Sequence, residues 1–283
     1  MTAIPQAAVA YVTSREAPDR EKATALAAFA AAGLAAEAVV WDDPAVEWSR
    51  YGVAVVRSTW DYTGRRAEFL AWAGRASAVT RLCNPVAVLE RNTDKTYLRG
   101  LAAAGVPVVP TAWVAPGQRL TEAAAPWPEL VVKPTVSAGA RDTVRTTDQE
   151  AAAAHAAALT AAGRTAMVQP YLRAVDGEGE TSLVFIGGGF SHAVRRGPML
   201  SGPEGRFADE LREPDADQLA MAEQVLAAVP ERADLLYARV DLVRDEDGAP
   251  VLIELELTEP RLFLQYDDAA PARLASAVRA RLA

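Results

Sequence analysis

Cysteine is almost missing from this chain: Cys83 is the only one in 283 residues. No disulfide framework can close within the chain, which points to a reducing compartment, the cytoplasm. A lone cysteine reads as a small buried apolar residue rather than a nucleophile. Long apolar runs are missing too: none reaches the roughly 18 residues that a membrane-spanning helix needs. The longest candidate, the Ala-rich stretch from Ala151, is broken by His155 and Thr160. The N-terminus carries no positive charge ahead of its apolar run, so it does not read as a secretory signal. Basic charge is in deficit. With 29 Lys and Arg against 37 Asp and Glu, the net charge of −8 argues against nucleic acid as the main partner. Neither GxxxxGK[ST] nor GxGxxG occurs, and the glycine run 187–189 reads as a turn.

What is present is an alternation of strand and helix. Ala7–Ser14, Ala36–Trp41 and Val53–Ser58 read as short apolar strands. Ala17–Ala32, ending at Gly33, and Arg66–Ala76 read as helices. This rhythm predicts a small parallel sheet with helical cover. Ligands on such sheets gather beyond the carboxyl ends of the strands, where Asp42, Asp43, Arg57, Ser58, Thr59, Trp60 and Asp61 fall. Arg57, with Ser58, Thr59 and Asp61, is a candidate to hold the carboxylate of an amino-acid-like substrate, since an arginine fork suits that group. The bland alternative pairs Arg57 with Asp61. Trp41, Trp60 and Tyr62 could wall such a pocket, though core packing is the expected role of each.

Asn84-Pro85 marks a boundary, and a helix is expected from Thr93 through Lys95 to Gly105. A middle unit follows. ELVVKP is a strand that carries Lys133, PTVSAGARDT is a loop of small residues, Asp148 caps the Ala-rich helix, and TAMVQPYL is a further strand. The last third reads as antiparallel, with hairpins around Gly187–Gly189 and Asp245–Gly248. Ser201 to Glu213 reads as a mobile loop. Asp215–Val229 and Ala270–Leu282 read as helices.

The stretch VLIELELTEP, Val251 to Pro260, poses the chemical question. Plain alternation puts Ile253, Leu255 and Leu257 on one face, and Glu254 and Glu256 with Leu252 and Thr258 on the other. A hairpin closed at Asp247-Gly248 sets Asp241 opposite Glu254 and Arg239 opposite Glu256. Facing carboxylates repel, so the face needs a cation. Arg239 could supply it as a salt bridge. A divalent metal is the rival, because Mg²⁺ is held by a few carboxylates together with substrate phosphates. A solvated face is the third reading.

A phosphate site could lie on the middle unit. Lys133 ends a strand, and Ser137, Ala138 and Gly139 offer backbone N–H groups with little side-chain bulk. The backbone of Gln169, Pro170, Tyr171 and Leu172 could meet the edge of an adenine, with Asp176, Glu178 or Glu180 within reach of a ribose. His192 is expected to be a satisfied structural histidine, with a substrate-facing role as the alternative.

Taken in order, these pieces resemble the ATP-grasp enzymes over nearly the whole chain: Lys95, Lys133, the small-residue loop, QPYL, then Asp241 with the Glu254-x-Glu256 pair. The resemblance implies an N-terminal Rossmann-like pre-ATP-grasp domain (1–90), a central subdomain (91–172) with a phosphate loop at 134–142, and a C-terminal subdomain (173–283) with the metal site. It implies that Lys95 and Lys133 meet ATP phosphates, that Gln169 and Leu172 hold adenine, and that Asp241, Glu254 and Glu256 bind one or two Mg²⁺, with Mn²⁺ as an alternative. Many family members have Asn at the position of Glu256, so this third ligand is more acidic here. Arg239, and Arg195 from the neighbouring hairpin, are expected at the transferred phosphate with Lys133. WDDPAVEW, VVRSTWDY, EGETSLVFIGGGFSHAV and ELELTEP are similar to the subgroup that contains the O-ureido-serine cyclo-ligase of cycloserine biosynthesis. The expected activity is therefore ATP-dependent C–N bond formation through an acyl phosphate, with ring closure of O-ureido-serine to cycloserine as the specific form. Intermolecular amino-acid or peptide ligation and a non-catalytic nucleotide-binding module are the alternatives. Neither nucleic acid nor membrane is expected as a partner, and homo-oligomerisation stays open.

Overall fold

The computed structural model describes residues 8–15, 18–198, 200 and 208–282. Among them the strands form three sheets. The first is parallel, in the order β2-β1-β3-β4, from β1 (Ala8–Thr13), β2 (Ala36–Val40), β3 (Tyr51–Ser58) and β4 (Arg81–Cys83). Strands β1 and β3 are nearly continuous apolar runs because both faces are covered. Val9, Tyr11, Val53 and Val55 pack toward α1 (Lys22–Ala31) and the closing helix α8 (Ala270–Leu282). Ala10, Val12, Ala54 and Val56 pack toward Phe69 and Trp72 of α2 (Arg66–Ser77).

The second sheet has the order β5-β8-β6-β7, from β5 (Ala112–Val114), β6 (Leu130–Pro134), β7 (Val144–Thr146) and β8 (Ala166–Pro170). Its helix α5 (Gln149–Ala161) is capped by Asp148, whose side chain accepts from the Glu150 and Ala151 N–H groups. The third sheet is antiparallel, β11-β10-β9-β12-β13, from β9 (Glu180–Ile186), β10 (Gly189–Arg196), β11 (Glu210–Arg212), β12 (Tyr237–Arg244) and β13 (Pro250–Glu256). Helix α7 (Ala216–Ala227) buries Met221, Ala222, Val225 and Leu226 against it.

Several elements differ from the sequence expectation. Helix α1 starts at Lys22 rather than Ala17, because the Asp19 carboxylate accepts from the Glu21 and Lys22 N–H groups and sets the first turn there. The expected helix from Thr93 is two helices, α3 (Val86–Asn92) and α4 (Tyr97–Ala103), with Lys95 in the turn between them. Thr93 Oγ1 donates to Leu89 O and closes α3, while Asp94 Oδ1 accepts from Thr96 N and holds the turn. The expected loop 201–213 contains strand β11 at its end, paired to β10. Residues 201–207 of that expectation lie outside the described residues.

The largest correction lies in VLIELELTEP. Leu242 pairs with Leu252, but Asp241 pairs with Glu254, so Ile253 is an extra residue and a β-bulge. The bulge reverses two neighbours. Leu252 joins Leu255 and Leu257 in the core, and Ile253 packs with Val109, Val175, Tyr171 and Leu172 on the other side.

Candidate active site

The hairpin β12–β13 sets Asp241 opposite Glu254 and Arg239 opposite Glu256, the register that the turn position implied. Its outer edge is held by side chains from α3 and α4. Asn92 donates to Leu255 O and accepts from Leu257 N, and the Tyr97 hydroxyl accepts from Leu255 N. These contacts replace a missing neighbour strand and fix the height of both glutamates.

Cations neutralise the face. The Arg239 fork reaches both oxygens of Asp241, each at 2.8 Å, and also pairs with Glu256. Arg196 donates to Asp241 Oδ2 (3.0 Å) and Glu180 Oε2 (3.0 Å), and Ser182 Oγ donates to Asp241 Oδ1 (2.7 Å). Lys95 Nζ meets Glu254 Oε1 at 2.9 Å and donates to Ser137 O at 2.8 Å. Burial would raise Asp241, but Arg239 and Arg196 outweigh it and hold the carboxyl down at about 2. Glu254 is lowered as well, because Lys95 and Lys133 override its burial. Burial pushes Glu256 up to about 7 against the pull of Arg239, with Glu254 and Asp241 adding repulsion. Glu259, three residues on, is pushed up to about 8 by burial and by Glu256.

Beside this face lies an apolar cleft between the second and third sheets. Val131, Lys133, Gln169, Pro170, Tyr171 and Ile253 line it, with Glu180 at its polar end. The half-buried side chain of Lys133 makes no hydrogen bond or ion pair among the described residues. Burial pushes its ammonium below the ordinary lysine value, although Glu254 pulls the other way. A desolvated cation facing an apolar slot is a site for an anion. The loop 135–143 joins β6 to β7 beside it. Gly139 sits at φ +65°, a left-handed conformation that glycine adopts without strain. Ser137 Oγ is turned inward to Pro134 O, at 3.3 Å.

The structure sorts the expected site residues. Lys95, Lys133, Glu180, Arg239, Asp241, Glu254 and Glu256 come together, with Gln169, Pro170, Tyr171 and Leu172 along the cleft. Arg195 does not join them. It lies on the opposite face of β10, donating to Glu178 O, Gly177 O and Glu210. Arg196 takes the place at the acidic face. Asp176 is directed away, toward the Tyr171 hydroxyl (2.5 Å) and Arg145, and Glu178 lies near Arg244. Of the three acids in that run, Glu180 is the one in the cleft.

The N-terminal expectation is corrected most. Arg57 is 2% exposed and pairs with Glu21 at 2.9 Å, not with Asp61. Glu21 also accepts from Leu262 N and Leu264 N, so this ion pair ties the first sheet to the chain after β13. Arg57 Nε and Nη1 have no hydrogen-bond partner among the described residues. Buried behind Glu21, Arg57 is not placed as an open carboxylate fork. Ser58 Oγ is engaged with Thr13 Oγ1 (2.7 Å), and Asp61 accepts from Trp41 Nε1 (3.0 Å). Thr59 Oγ1 is buried and without a partner among the described residues. His192 is structural, as expected: it is buried between Ser191 Oγ and Leu262 O.

Sequence reasoning missed Arg196, Ile253 and Glu259. Bulges hid the first two: Ile253 is itself the extra residue of β13, and in β10 the register also shifts by one between Phe190 and His192, ahead of Arg196. The signal for Glu259 was its place in the same acidic stretch, but only the fold shows it buried beside Tyr62, with Trp60 Nε1 donating to its carbonyl at 3.2 Å.

Among the described residues no group of three or more His, Cys, Asp or Glu side chains forms a ready metal cage. The donor set still fits Mg²⁺, which takes one or two carboxylates plus phosphate oxygens and keeps several waters. Five carboxyls (Glu180, Asp241, Glu254, Glu256, Glu259) face four cations (Lys95, Lys133, Arg196, Arg239), and three of those carboxyls (Glu180, Glu256, Glu259) are raised, by burial first and by neighbouring carboxylates next. Hard oxygen donors with unmet negative charge suit a hard divalent cation.

Comparison with known proteins gives a consistent picture. Residues 9–84 match the family model described as D-cycloserine synthetase DcsG, N-terminal domain. The chain is 40% identical over 269 residues to the cycloserine biosynthesis protein DcsG of Streptomyces lavendulae, covering 88% of this chain and 90% of that protein. It superposes on the crystal structure of D-cycloserine synthetase DcsG with a TM-score of 0.90 at 40% identity, over 97% of this chain and 99% of that one. A RimK domain ATP-grasp protein from Sphaerobacter thermophilus superposes with a TM-score of 0.70 at 21% identity, over 96% and 100% of the two chains.

Proposed function

The chain belongs to the DcsG family of ATP-grasp ligases, and on that footing we propose that it activates the carboxylate of an O-ureido-serine-like amino acid with ATP and closes its ring. The observation that carries this reading is the place of Lys133, a half-buried cation whose side chain has no ion-pair partner among the described residues, in an apolar cleft with Glu180 at its polar end and within the pull of Glu254. Adenine lies between Val131 and Ile253 against the backbone of Gln169 to Leu172, and Glu180 meets the ribose. Lys95, Lys133 and the loop 134–142, with Ser137 and Gly139, hold the phosphates. Asp241, Glu254 and Glu256 would hold one or two Mg²⁺, whose chemistry is to neutralise charge on the phosphate oxygens.

The substrate carboxylate attacks the γ-phosphorus, ADP leaves, and an acyl phosphate remains. Arg239 and Arg196, already paired and oriented, and Lys133, whose charge is uncommitted, face the charge that moves in this step, with little reorganisation to make. The ureido nitrogen then attacks the acyl carbon and expels phosphate. The carbamoyl group is lost by hydrolysis, so cycloserine differs from O-ureido-serine by the elements of carbon dioxide and ammonia. Thr59 and Asp61, at the carboxyl edge of the first sheet, are the proposed substrate contacts. The working units are 1–90, 91–172 and 173–283, and the setting proposed from the single cysteine is the cytoplasm.

The test is ADP release from Mg²⁺-ATP with O-ureido-D-serine, with product mass read in the same tube, for the native chain and for Glu254→Gln. The expected result is ADP with a ring product in the native chain, and a loss of about a hundredfold or more in the variant at unchanged circular dichroism. ADP only with a second, joined amino acid would replace cyclisation by intermolecular ligation. ATP binding without ADP from any carboxylate would leave a nucleotide-binding module. Full turnover by Glu254→Gln would make the carboxylates a structural face.

A further inference from the structure

The loop between β6 and β7 is fastened on two sides. Toward its own unit, Arg164 pairs with Asp142 at 2.6 Å and donates to Val136 O. Toward the first unit, Arg141 reaches the 3₁₀ turn Trp60–Gly64. Its Nη2 donates to Trp60 O at 2.9 Å and to Thr63 Oγ1 at 2.7 Å, while its Nε donates to Ala138 O in its own loop. The same turn is joined to the acidic segment. Trp60 Nε1 donates to Glu259 O, and the Tyr62 ring lies beside the Glu259 carboxyl. Three residues of one short turn, Trp60, Tyr62 and Thr63, therefore touch the loop over the phosphate site or the chain that carries Glu254 and Glu256.

From this geometry we infer that Arg141 is a positioning residue that latches the phosphate loop to the turn Trp60–Gly64 and so couples ATP consumption to ring closure. The inference rests on the ligase reading above. An acyl phosphate has two fates. If the substrate nitrogen attacks the acyl carbon, the C–O bond to phosphate breaks and the ring forms. If water attacks the same carbon, the same bond breaks, phosphate leaves, and the carboxylate returns with a proton released to solvent. The second path nets ATP plus water to ADP plus phosphate, with no product. A loop held at both ends keeps water out, whereas a loop held only by Arg164 leaves its inner side free to lift. Arg141 contacts the turn on the side where the N-terminal unit meets the site. The latch is therefore made only when the first and second units are seated together.

The experiment compares Arg141→Ala and Thr63→Val with the native chain. Arg141 is exposed and Thr63 half-exposed, so neither substitution opens the core, and Thr63→Val keeps the shape while removing the acceptor. The first readout is ADP released per product formed. The expected change is a rise of about tenfold for Arg141→Ala, the loss of charged hydrogen bonds, with a smaller rise in the same direction for Thr63→Val. The second readout is amide hydrogen exchange across residues 135–143 without substrate. It should quicken in both variants while the core sheets stay protected. Unchanged exchange in both variants overturns the latch whatever the ligase assay gives. An unchanged ADP-to-product ratio in both, with product still formed, overturns its coupling role. Failure of the native chain to turn over would sink the ligase reading and leave the exchange result to decide the latch.

Discussion

The hairpins β12–β13 and β9–β10 lie in one sheet, each holds one extra residue, and each bulge decides which side chain reaches the cleft. Near the first turn Leu242 faces Leu252; past Ile253, Asp241 faces Glu254. Near the second turn Phe190 faces Phe185; past Ser191, His192 faces Val184 and Arg196 faces Glu180. Continued from the turn without its bulge, the second register would set Arg195 opposite Glu180. The first bulge exchanges a leucine for an isoleucine, and the second exchanges one arginine for another. In both, the extra residue falls between the turn and the charged pairs, so the tip keeps a regular hairpin while the charged end is shifted by one. A strand can thus be correctly placed and still present the wrong neighbour to the site.

Adjacent arginines give the strongest way to break this comparison. Arg196→Ala should cut ADP release by about a hundredfold or more, because it removes a cation that touches Asp241 and Glu180 where charge moves. Arg195→Ala should stay within about threefold, its contacts being with Glu178 O, Gly177 O and Glu210 on the far face. Steady-state ADP release on the two purified variants checks it. The reverse ranking would mean that the face assignment past Ser191 is wrong.

The sequence was legible wherever local chemistry and tertiary context agreed. The βαβ rhythm of the first sheet, the Asp148 cap and the Asp245–Gly248 turn all hold in the structure. The pairing of Asp241 with Glu254 was legible because a short turn limits register to about one residue in either direction. Bulges were not legible, since one inserted residue leaves no mark in an alternation of Leu, Ile and Glu. Arg57 was misjudged for a different reason. Its position at the end of β3 was correct, but its partner Glu21 precedes α1, and that pairing exists only after the chain folds. Lys95 was assigned to one helix running from Thr93 to Gly105; in the fold Thr93 closes one helix and Asp94 holds the turn before the next.

The first hairpin can be sharpened by pH. Burial raises Glu256 to about 7 and Glu259 to about 8, above the ordinary glutamate value of 4.5. The folded state therefore binds protons that the unfolded state has released. The stability from these protons is full below pH 4.5 and is lost as pH rises through 7 and 8, with a slope of at most about 1.4 kcal/mol per pH unit for each group. Mg²⁺ favours ionised Glu256 and should offset the loss. The melting temperature of the metal-free protein should fall from pH 6 to pH 8, and the gap between samples with and without Mg²⁺ should widen over the same range. Glu256→Gln should flatten both trends. A gap that stays constant with pH in the native chain would mean that Arg239 alone satisfies Glu256.

The smallest effect separates Leu252 from Ile253. Plain alternation puts Ile253 in the core with Leu255 and leaves Leu252 with the glutamates; the bulge reverses them. Leu252 is fully buried among Leu242, Leu255 and Met221, so Leu252→Ala leaves a cavity and should cost about 2–5 kcal/mol of unfolding free energy. Ile253 is only partly buried and lines the cleft beside Lys133 and Val131, so its alanine variant should melt close to the native chain. It loses instead the apolar wall offered to a nucleotide base, worth about 1–2 kcal/mol or roughly tenfold in nucleotide affinity. Denaturant unfolding and an equilibrium titration with ATP, run on both variants, read the two effects separately. If Ile253→Ala is the variant that unfolds early while Leu252→Ala is the one that binds ATP weakly, β13 runs without its bulge, and the alternation read from the sequence stands.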